Sequence, residues 1–425
     1  MHLLIASVSG ATSPSGVCRH AANIARGMVA CSSVQKVTML TGDWQADYFR
    51  DAFNLKSEKL DIRRVSIRNR AAARNLWYLR GLPTEARACG ADVVHLAYPI
   101  PLLRSAFASP VVVSLHDLYP FDIPPNFGKR AWLNRAALNL CLRNVDAIAC
   151  VSGETQTRLH QLFPAMGSEK VTVVPNSIWL SRGIGHMALP SEILDYPFLL
   201  CVAQHRANKN LPLLLQSFRL ALDRNVVPAN AKLIVVGNEG PETQFLHQVV
   251  TRWDLRGRVR FLHGISDGLL VSLYENCELV IAPSLLEGFG LPVAEALAVG
   301  SLVVCSDIPA FRSIGTACCV FFDPMDGSGE SLLAAMREAM KSSRCPAISS
   351  AGLEPQEAAA MYLALYSKLL VRTHAKILGF SPAHIQAADT LSSFAQSSNN
   401  RKAAALMKGT SRPVLQSRGD EHGRI

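Results

Sequence analysis

Short apolar segments recur along the first half of the chain, and longer amphipathic stretches separate them. The segments are nearly continuous in apolar residues, as expected for parallel strands that are buried on both faces. The stretch from Val17 to Val29 places Val17, Ala21, Ile24 and Met28 on one stripe of a helix. This alternation predicts a doubly wound α/β domain. The strands predicted in it are His2–Val8, Val37–Leu40, Asp92–His95, Val111–His116, Ala147–Ser152 and Val171–Pro175.

The same alternation begins again beyond residue 197, after a segment that contains two glycines and a proline. We therefore predict two Rossmann-like domains, over residues 1–180 and 197–354, joined by a linker at 181–196 and facing a central cleft. A helix at 355–371 is expected to pack on the folded body, and residues 372–425 are predicted to form a mostly disordered tail. The strands predicted in the second domain are Phe198–Ala203, Lys232–Gly237, Val259–Leu262, Leu279–Pro283, Leu302–Ser306 and Val320–Phe322.

Composition narrows the class of protein. Hydrophobic residues make up 49% of the 425 residues, enough for sizeable cores, and no apolar run reaches the roughly 18 residues of a transmembrane helix. The chain starts without a basic leader or a small-residue cleavage site, so a cytoplasmic location is expected. The eleven cysteines form no C-x-x-C pair and no Cys/His metal spacing. We therefore expect buried free thiols in a reducing compartment and no metal site.

The net charge of +10 is distributed unevenly. Residues 1–195 carry 21 Lys and Arg against 14 Asp and Glu, which suits an anionic acceptor or membrane surface, although ordinary solubility charge also explains it. The segment Arg63–Arg87 holds seven arginines around Leu76-Trp77-Tyr78. It predicts either a solvated helix face or peripheral contact with the inner face of the cytoplasmic membrane. Nucleic acid is not expected as a partner, because the Arg-rich stretches lack alternating stacking aromatics and a binding motif.

The sharpest local signal is the segment 284–295, SLLEGFGLPVAE. It follows a predicted strand and leads into a helix with proline in its first turn, where proline costs no hydrogen bond. Gly288 and Gly290 allow the backbone to approach a ligand, and the free N–H groups of the helix start favour an anion such as a diphosphate. Glu287 precedes the helix and Glu295 lies inside it, so the two carboxylates can contact different parts of one ligand.

Further polar groups follow other predicted strands. Lys209 and Arg206 lie in a basic loop, where they can neutralise a diphosphate leaving group. His116 ends a strand, at the position where open α/β sheets bind ligands, and can donate to a hydroxyl group of a ligand. Gly16 lies in the turn after the first strand, and Gly264 in the turn after the strand Val259–Leu262.

The segment 284–295 resembles the E-x7-E motif of retaining GT-B glycosyltransferases of the large family 4 type. The resemblance covers roughly residues 1–370 and implies that Glu287 lies beside the donor sugar and that Glu295 holds the ribose hydroxyls. It implies that the backbone of Phe289, Gly290 and Leu291 meets sugar and phosphate.

The same resemblance gives roles to residues outside that motif. Lys209 matches the lysine that pairs with the diphosphate, His116 the histidine that reaches the donor sugar, and Gly16 the first glycine-rich loop. Gly264 matches the turn whose backbone reads the base. The chain departs from the family at Ala203-Gln204, where glycine followed by arginine or threonine is usual, and Arg206 is a candidate replacement.

The resemblance implies transfer of a hexose, with retention, from a nucleotide-diphosphate sugar to a saccharide or lipid-linked saccharide in surface polysaccharide biosynthesis. Mannose is the expected sugar, and no cofactor beyond the donor substrate is expected. A sugar-nucleotide epimerase on the same fold and an inactive sugar-nucleotide-binding protein remain alternatives. A nicotinamide oxidoreductase is disfavoured, because the loop after the first strand lacks G-x-G-x-x-G. No D-x-D sequence is present to hold a metal ion.

Overall fold

The chain forms one compact unit over Met1–Tyr366 and a second unit over Ser367–Ile425. Most of the predicted linker and tail lies outside the residues that the structure describes, so the predicted domain boundaries stay a prediction. The computed structural model describes residues 1–123, 131–180, 189, 193, 195–315, 318–348 and 353–377.

The first half of the compact unit is built on a parallel sheet, and its strand order among the described residues is β3-β2-β1-β4-β5-β6-β7. The consecutive residues Leu3, Leu4 and Ile5 are all fully buried, so both faces of the sheet are covered. The strands are β1 His2–Ala6, β2 Lys36–Gly42, β3 Leu60–Val65, β4 Val93–Leu96, β5 Val111–Leu115, β6 Ala147–Cys150 and β7 Val171–Val173. The helices are α1 Gly16–Ala30, α2 Ala46–Asp51, α3 Ala71–Ala88, α4 Tyr119–Asp122, α5 Ala131–Asn144 and α6 Gly153–Leu162.

The second half is built on another parallel sheet, with the order β10-β9-β8-β11-β12-β13. Leu199 and Leu200 belong to separate buried clusters, so apolar cores lie on both faces of this sheet as well. The strands are β8 Phe198–Val202, β9 Lys232–Val236, β10 Val259–Leu262, β11 Leu279–Ala282, β12 Val303–Ser306 and β13 Cys319–Phe322. The helices are α7 Leu211–Asp223, α8 Thr243–Arg252, α9 Asp267–Asn276, α10 Leu291–Ala298, α11 Pro309–Ile314, α12 Glu330–Ala339 and α13 Pro355–Ile377.

The predicted pair of doubly wound α/β domains is confirmed, and the main omission is the edge strand β3. Its residues, LDIRRV, carry three charges and lack the continuous apolar run that identifies the interior strands. Arg63 and Arg64 therefore belong to a strand, and α3 begins only at Ala71. Within α3, Tyr78 is buried and Trp77 packs against the core, so this aromatic pair does not project from the helix.

The last helix packs on the first half of the unit through its first turns. Tyr362 and Tyr366 are fully buried, and the Tyr366 hydroxyl lies 2.5 Å from Nδ1 of His95. Gly27 allows α1 to approach the first turns of this helix closely, because a Cβ on Gly27 would lie 2.8 Å from the Cβ of Ala359. Residues up to Tyr366 of this helix thus lie against the first half of the unit, and the packing predicted for the whole of 355–371 stays a prediction.

Two expectations about the chain's end and its thiols are wrong in part. Residues 372–377, assigned to the tail, continue α13, since no glycine or proline interrupts the helical stretch and Thr373 Oγ1 bonds back to the Leu369 carbonyl. Nine described cysteines form no disulfide, but Cys318 and Cys345 are joined by one. The two cysteines are 27 residues apart, so no local spacing signals the pair. No described helix is long and apolar enough to cross a membrane.

Candidate active site between the two sheets

Most of the predicted site residues lie in loops or at helix starts that follow the carboxyl ends of strands, where parallel α/β sheets bind ligands. Strand order reverses between β1 and β4 in the first sheet and between β8 and β11 in the second. Lys209 follows β8 and Glu287 follows β11, so both flank the second reversal. Gly16 follows β1 and His116 follows β5. The topology therefore gathers groups that are distant in the sequence.

Glu287 and Lys209 form an ion pair. The Nζ of Lys209 lies 2.5 Å from Oε1 of Glu287, and the side chains are 17% and 10% exposed. Ser284 Oγ donates to the same carboxylate oxygen over 2.7 Å. The hydroxyl of Tyr119, from the first half of the chain, lies 3.4 Å from Oε2. Groups from both halves therefore hold this carboxylate in a partly buried position.

Gly288 brings the backbone of the second half against the first. An added Cβ would lie 2.8 Å from the carbonyl carbon of His116 and closer still to its oxygen. Ser152 Oγ donates to the Gly288 carbonyl over 2.5 Å, and Thr155 Oγ1 donates over 3.2 Å. Only a residue without a Cβ permits this approach.

The glycine turn continues into α10. Phe289 is buried, and Gly290 has a φ of 103°, in the left-handed region that favours glycine. The helix begins at Leu291 with proline in its first turn, and no described side chain caps it. A Cβ on Gly16 would lie 3.8 Å from Cδ1 of Leu291. The uncapped N–H groups of α10 thus lie next to the first loop, as a site for an anion requires.

His116 uses one ring nitrogen within the fold. Its Nε2 lies 2.8 Å from the carbonyl oxygen of Ala97, so this nitrogen carries the proton and donates. The ring of His20 packs edge-on at 4.6 Å. Burial lowers the pKa of His116, so the ring is neutral at pH 7. A ligand would therefore meet Nδ1, a hydrogen-bond acceptor, and not the donor expected from the sequence.

Glu295 belongs to a buried ionic cluster with Arg19 and Asp267. Arg19 Nε lies 3.7 Å from Oε1 of Glu295, and its terminal nitrogens donate to Asp267 over 3.0 and 2.7 Å. The Tyr274 hydroxyl donates to Oε2 of Glu295 over 3.0 Å. Burial raises the pKa of Glu295, and the charge of Arg19 opposes this rise. Sequence reasoning missed Arg19 and Asp267; the one hint to Arg19 is its place a turn beyond Gly16.

Arg206 and Gly264 stand apart from these contacts. Arg206 is exposed at the start of the short turn that carries Lys209. Gly264 follows the edge strand β10 with a φ of 64°, and a side chain there would meet no described atom within 4 Å. The parts in donor binding predicted for these two residues stay predictions.

A cavity of about 630 Å³ lies beside the ion pair, within the size range of small-molecule sites. Its walls come from the loop after β5, α4 and α6 in the first half, and from the loops after β8 and β11 in the second. Asp117 and Glu287 both line it. Burial raises the pKa of Asp117 to about 6, although the charges of Lys209 and Arg206 oppose the rise.

Among the residues that the structure describes, no three His, Cys, Asp or Glu side chains come together as ligands for a metal ion. The expectation that no metal takes part stays a prediction.

Two family models match the two halves of the chain. Residues 190–347 match the model described as glycosyl transferases group 1, and residues 14–182 match the model described as glycosyltransferase family 4. The chain belongs to the group 1 glycosyl transferases. The predicted family is confirmed. The two parallel sheets of the chain, with their helices, correspond to the two Rossmann-like domains of the GT-B fold.

Curated relatives of this group 1 glycosyl transferase include mannosyltransferases. The O-antigen chain mannosyltransferase RfbU of Salmonella typhimurium is 27% identical over 229 residues, which are 54% of this chain and 60% of that protein. The GDP-mannose:cellobiosyl-diphosphopolyprenol alpha-mannosyltransferase of Xanthomonas campestris is 24% identical over 234 residues, 53% of this chain and 58% of that protein. The matched region therefore spans less than two thirds of each relative.

Solved structures share the fold over nearly the whole chain. HepE of Anabaena, in complex with UDP and glucose, superposes with a TM-score of 0.59 at 19% identity, covering 92% of this chain and 100% of that one. At this identity the likeness establishes the GT-B fold alone.

Proposed function

We propose that this protein transfers a hexose from a nucleotide-diphosphate sugar to a saccharide or lipid-linked saccharide during assembly of a surface polysaccharide. The observation that carries the proposal is the Lys209–Glu287 pair of the second half, 2.5 Å apart, which Tyr119 of the first half contacts and which precedes the uncapped start of α10. A cation and a helix N-terminus suit a diphosphate, and a carboxylate suits the sugar attached to it. The mannosyltransferase relatives favour mannose as the sugar and GDP-mannose as the donor.

The proposed reaction proceeds with retention at the anomeric carbon. The bond between that carbon and the diphosphate oxygen breaks, the diphosphate leaves with the electron pair, and an acceptor oxygen attacks the same face. The acceptor's hydroxyl proton passes to the departing diphosphate. Negative charge grows on the diphosphate, where Lys209 and the N–H groups at Leu291 stabilise it, while Glu287 stabilises the positive charge on the sugar. We assign no covalent nucleophile.

Glu287 holds the ammonium group of Lys209 in place. On donor binding, this ammonium would pass from the carboxylate to the diphosphate, so the ion pair positions the lysine in advance. Glu295 is expected to meet the ribose, for which Arg19 and Tyr274 would release or share its oxygens.

The donor is identified first by thermal shift against UDP-, GDP- and ADP-sugars, since a ligand bound to the folded state raises the melting temperature with occupancy. The product formed with a saccharide acceptor is then examined by NMR for its anomeric configuration. An inverted product would overturn the retaining mechanism, and no response to any sugar nucleotide would overturn the proposed donor class.

Glu287→Gln separates binding from turnover. The change removes the partner of Lys209, so affinity for the nucleoside diphosphate should stay level or rise, while kcat falls by about 10²-fold or more because the sugar loses its charge stabilisation. Glu278→Gln is the matched control, because Glu278 is exposed outside the cavity. Near-normal turnover of Glu287→Gln would remove Glu287 from the mechanism.

The two alternatives predict different products. A sugar-nucleotide epimerase would convert the donor without an acceptor, and a binding protein would give a thermal shift but no product. Mass spectrometry of the nucleotide sugar, with and without acceptor, distinguishes both from transfer.

A lipid-linked acceptor would require contact with the inner face of the cytoplasmic membrane. Support comes from the basic first half of the chain and from the polyprenol-linked substrate in the name of the Xanthomonas relative. Tyr78 and Trp77 do not project from α3, whereas α5 exposes Trp132, 65% exposed, with Leu133 and Leu140. We therefore assign the contact to α5, whose exposed apolar side chains can enter an anionic bilayer.

Co-sedimentation with phosphatidylglycerol vesicles tests this contact. Trp132→Ala should reduce binding, and Met325→Ala, at a still more exposed apolar position in the second half, should not. Absence of binding by the unaltered protein would refute the membrane contact and would leave the proposed transfer reaction unaffected.

A further inference from the structure

The cavity beside Glu287 has a second set of polar groups that the proposed donor site does not use. It lies against Asp117 from the loop after β5, against Tyr119 and Phe121 from α4, and against Glu154 and Arg158 from α6. All five come from the first half of the chain, across from the ion pair. They therefore form the wall that a second substrate would meet.

The cation of this wall is already engaged. Every nitrogen of the Arg158 guanidinium has a partner: Nε lies 2.7 Å and Nη2 2.6 Å from Asp122 Oδ1, and Nη1 donates to Gln161 over 3.1 Å. Among the described lining residues no further Lys or Arg is present. Lys209 and Arg206 act on Asp117 through their charges from outside the lining; Lys209 is bound to Glu287, and Arg206 is exposed.

Two carboxylates of the wall keep unused acceptor capacity. Asp117 accepts one hydrogen bond, from the backbone N–H of Tyr119 over 3.1 Å. Glu154 has no ion pair or side-chain hydrogen bond with any described residue and lies in the first turn of α6. Carboxylate oxygens accept hydrogen bonds from hydroxyl groups, so these two oxygens suit a polyhydroxylated ligand.

The aromatic side chains complete the wall. Tyr119 is fixed by its hydroxyl, which lies 3.2 Å from the Leu286 carbonyl oxygen and donates to it, and Phe121 is fixed by edge packing on Phe163 at 5.5 Å. Rigid rings bury apolar area at little cost in side-chain entropy, and the C–H face of a pyranose offers such area.

The charges of the wall decide what kind of sugar it accepts. With Asp122 and Glu287 paired, Asp117 and Glu154 leave an excess of negative charge. A uronate or phosphorylated sugar would bring a like charge into a partly buried place with no free lining cation to receive it.

We propose that this cavity holds the terminal sugar of the acceptor and selects an uncharged pyranose, whose hydroxyls donate to Asp117 and Glu154 and whose apolar face contacts Tyr119 and Phe121. The inference rests on the proposed transfer reaction and names the class of its acceptor.

The test compares octyl β-D-glucoside and octyl β-D-glucuronide, which share ring and tail and differ in charge, together with octyl α-D-mannoside. Binding to the full chain is followed by saturation-transfer NMR, and transfer by mass spectrometry with the donor found by thermal shift. At least one neutral glycoside should bind and react. The glucuronide should show a kcat/KM at least about tenfold below that of the neutral glycosides, because of like-charge repulsion.

Glu154→Gln removes one charge of the wall and keeps its shape. The ratio of kcat/KM for the glucoside to kcat/KM for the glucuronide should fall by about threefold or more, because one like charge is lost. Donor affinity and donor hydrolysis should stay unchanged. Glu169→Gln, at an exposed position of the same domain outside the cavity, should leave the ratio unchanged.

Three results would overturn the inference: equal use of glucuronide and glucoside, an unchanged ratio in Glu154→Gln, or no binding by any neutral glycoside while the donor is bound and hydrolysed. Absence of donor binding and hydrolysis would instead overturn the proposed function, and the inference with it.

Discussion

Gly288→Ala tests whether the contact between the two domains sets the geometry of the site. The added Cβ would lie 2.8 Å from the His116 carbonyl carbon and closer to its oxygen. Ordinary contacts between carbon atoms lie near 3.5–4.0 Å, so the two backbones must separate by about 1 Å or more. The φ of Gly288 is not in the left-handed region, so alanine acts here through its volume and not through backbone strain.

That separation reaches the reacting groups directly. The hydrogen bonds of Ser152 and Thr155 to the Gly288 carbonyl would lengthen, at about 1 kcal/mol each. Glu287 precedes Gly288 in the chain and would move with it, and misplacement by about 1 Å can lower a rate by about 10²-fold. We therefore expect kcat/KM to fall by about 10²-fold, equal to about 3 kcal/mol in the barrier.

The assay measures transfer to a neutral glycoside, with the donor-induced thermal shift as a separate reading of donor binding. Gly153→Ala is the matched control, because a Cβ there meets nothing within 4 Å and Gly153 opens a helix beside the same cavity. It should keep full activity. A 1 Å displacement is expected to lower kcat/KM by about 10²-fold. If the kcat/KM of Gly288→Ala instead stays within about threefold of that of the unaltered protein, the contact does not position the site.

Three further changes test the buried contacts around the site. Gly27→Ala should lower the free energy of unfolding by about 1–3 kcal/mol in urea titration, because the new Cβ overpacks the contact between α1 and the last helix; an unchanged urea midpoint would contradict this. Arg19→Ala leaves the buried carboxylates of Asp267 and Glu295 unpaired and should cost about 3–5 kcal/mol at pH 7. Because burial raises the pKa of Glu295, the cost should become smaller as the pH is lowered; a loss that grows on acidification would refute the pairing. Burial lowers the pKa of His95 to about 3. The contribution of this residue to the free energy of unfolding is therefore fully present above about pH 6.5 and is lost below it, by about 2 kcal/mol at pH 5. His95→Gln should make the free energy of unfolding depend less on pH in this range, and an equal pH dependence in both proteins would assign it to other groups.

Much of the fold follows from local sequence pattern. The strands of both sheet interiors are continuous apolar runs, and such runs form buried parallel strands whatever lies beyond them. The edge strand β3 does not follow, because charged residues on an edge obey no buried pattern. The helix after Gly290 is equally local, since proline in its first turn and two preceding glycines define its start.

The partners of the site residues required the tertiary structure. Sequence alone marked Glu287, Lys209 and His116 as polar groups after strands, and the family resemblance gave them roles. It could not show that Lys209 pairs with a carboxylate 78 residues away, or that His116 donates its Nε2 proton to Ala97. These contacts depend on how separate strands are ordered in the sheets, which no local periodicity encodes.

The sequence by itself determined two α/β domains with parallel sheets and a glycine turn suited to a diphosphate, because both follow from patterns among residues that are close together along the chain. Only the tertiary structure decided that Gly288 meets the His116 carbonyl, that Arg19 lies between Asp267 and Glu295, and that Cys318 joins Cys345. Each of these pairs joins residues distant along the chain, so its formation depends on how complete elements pack against one another.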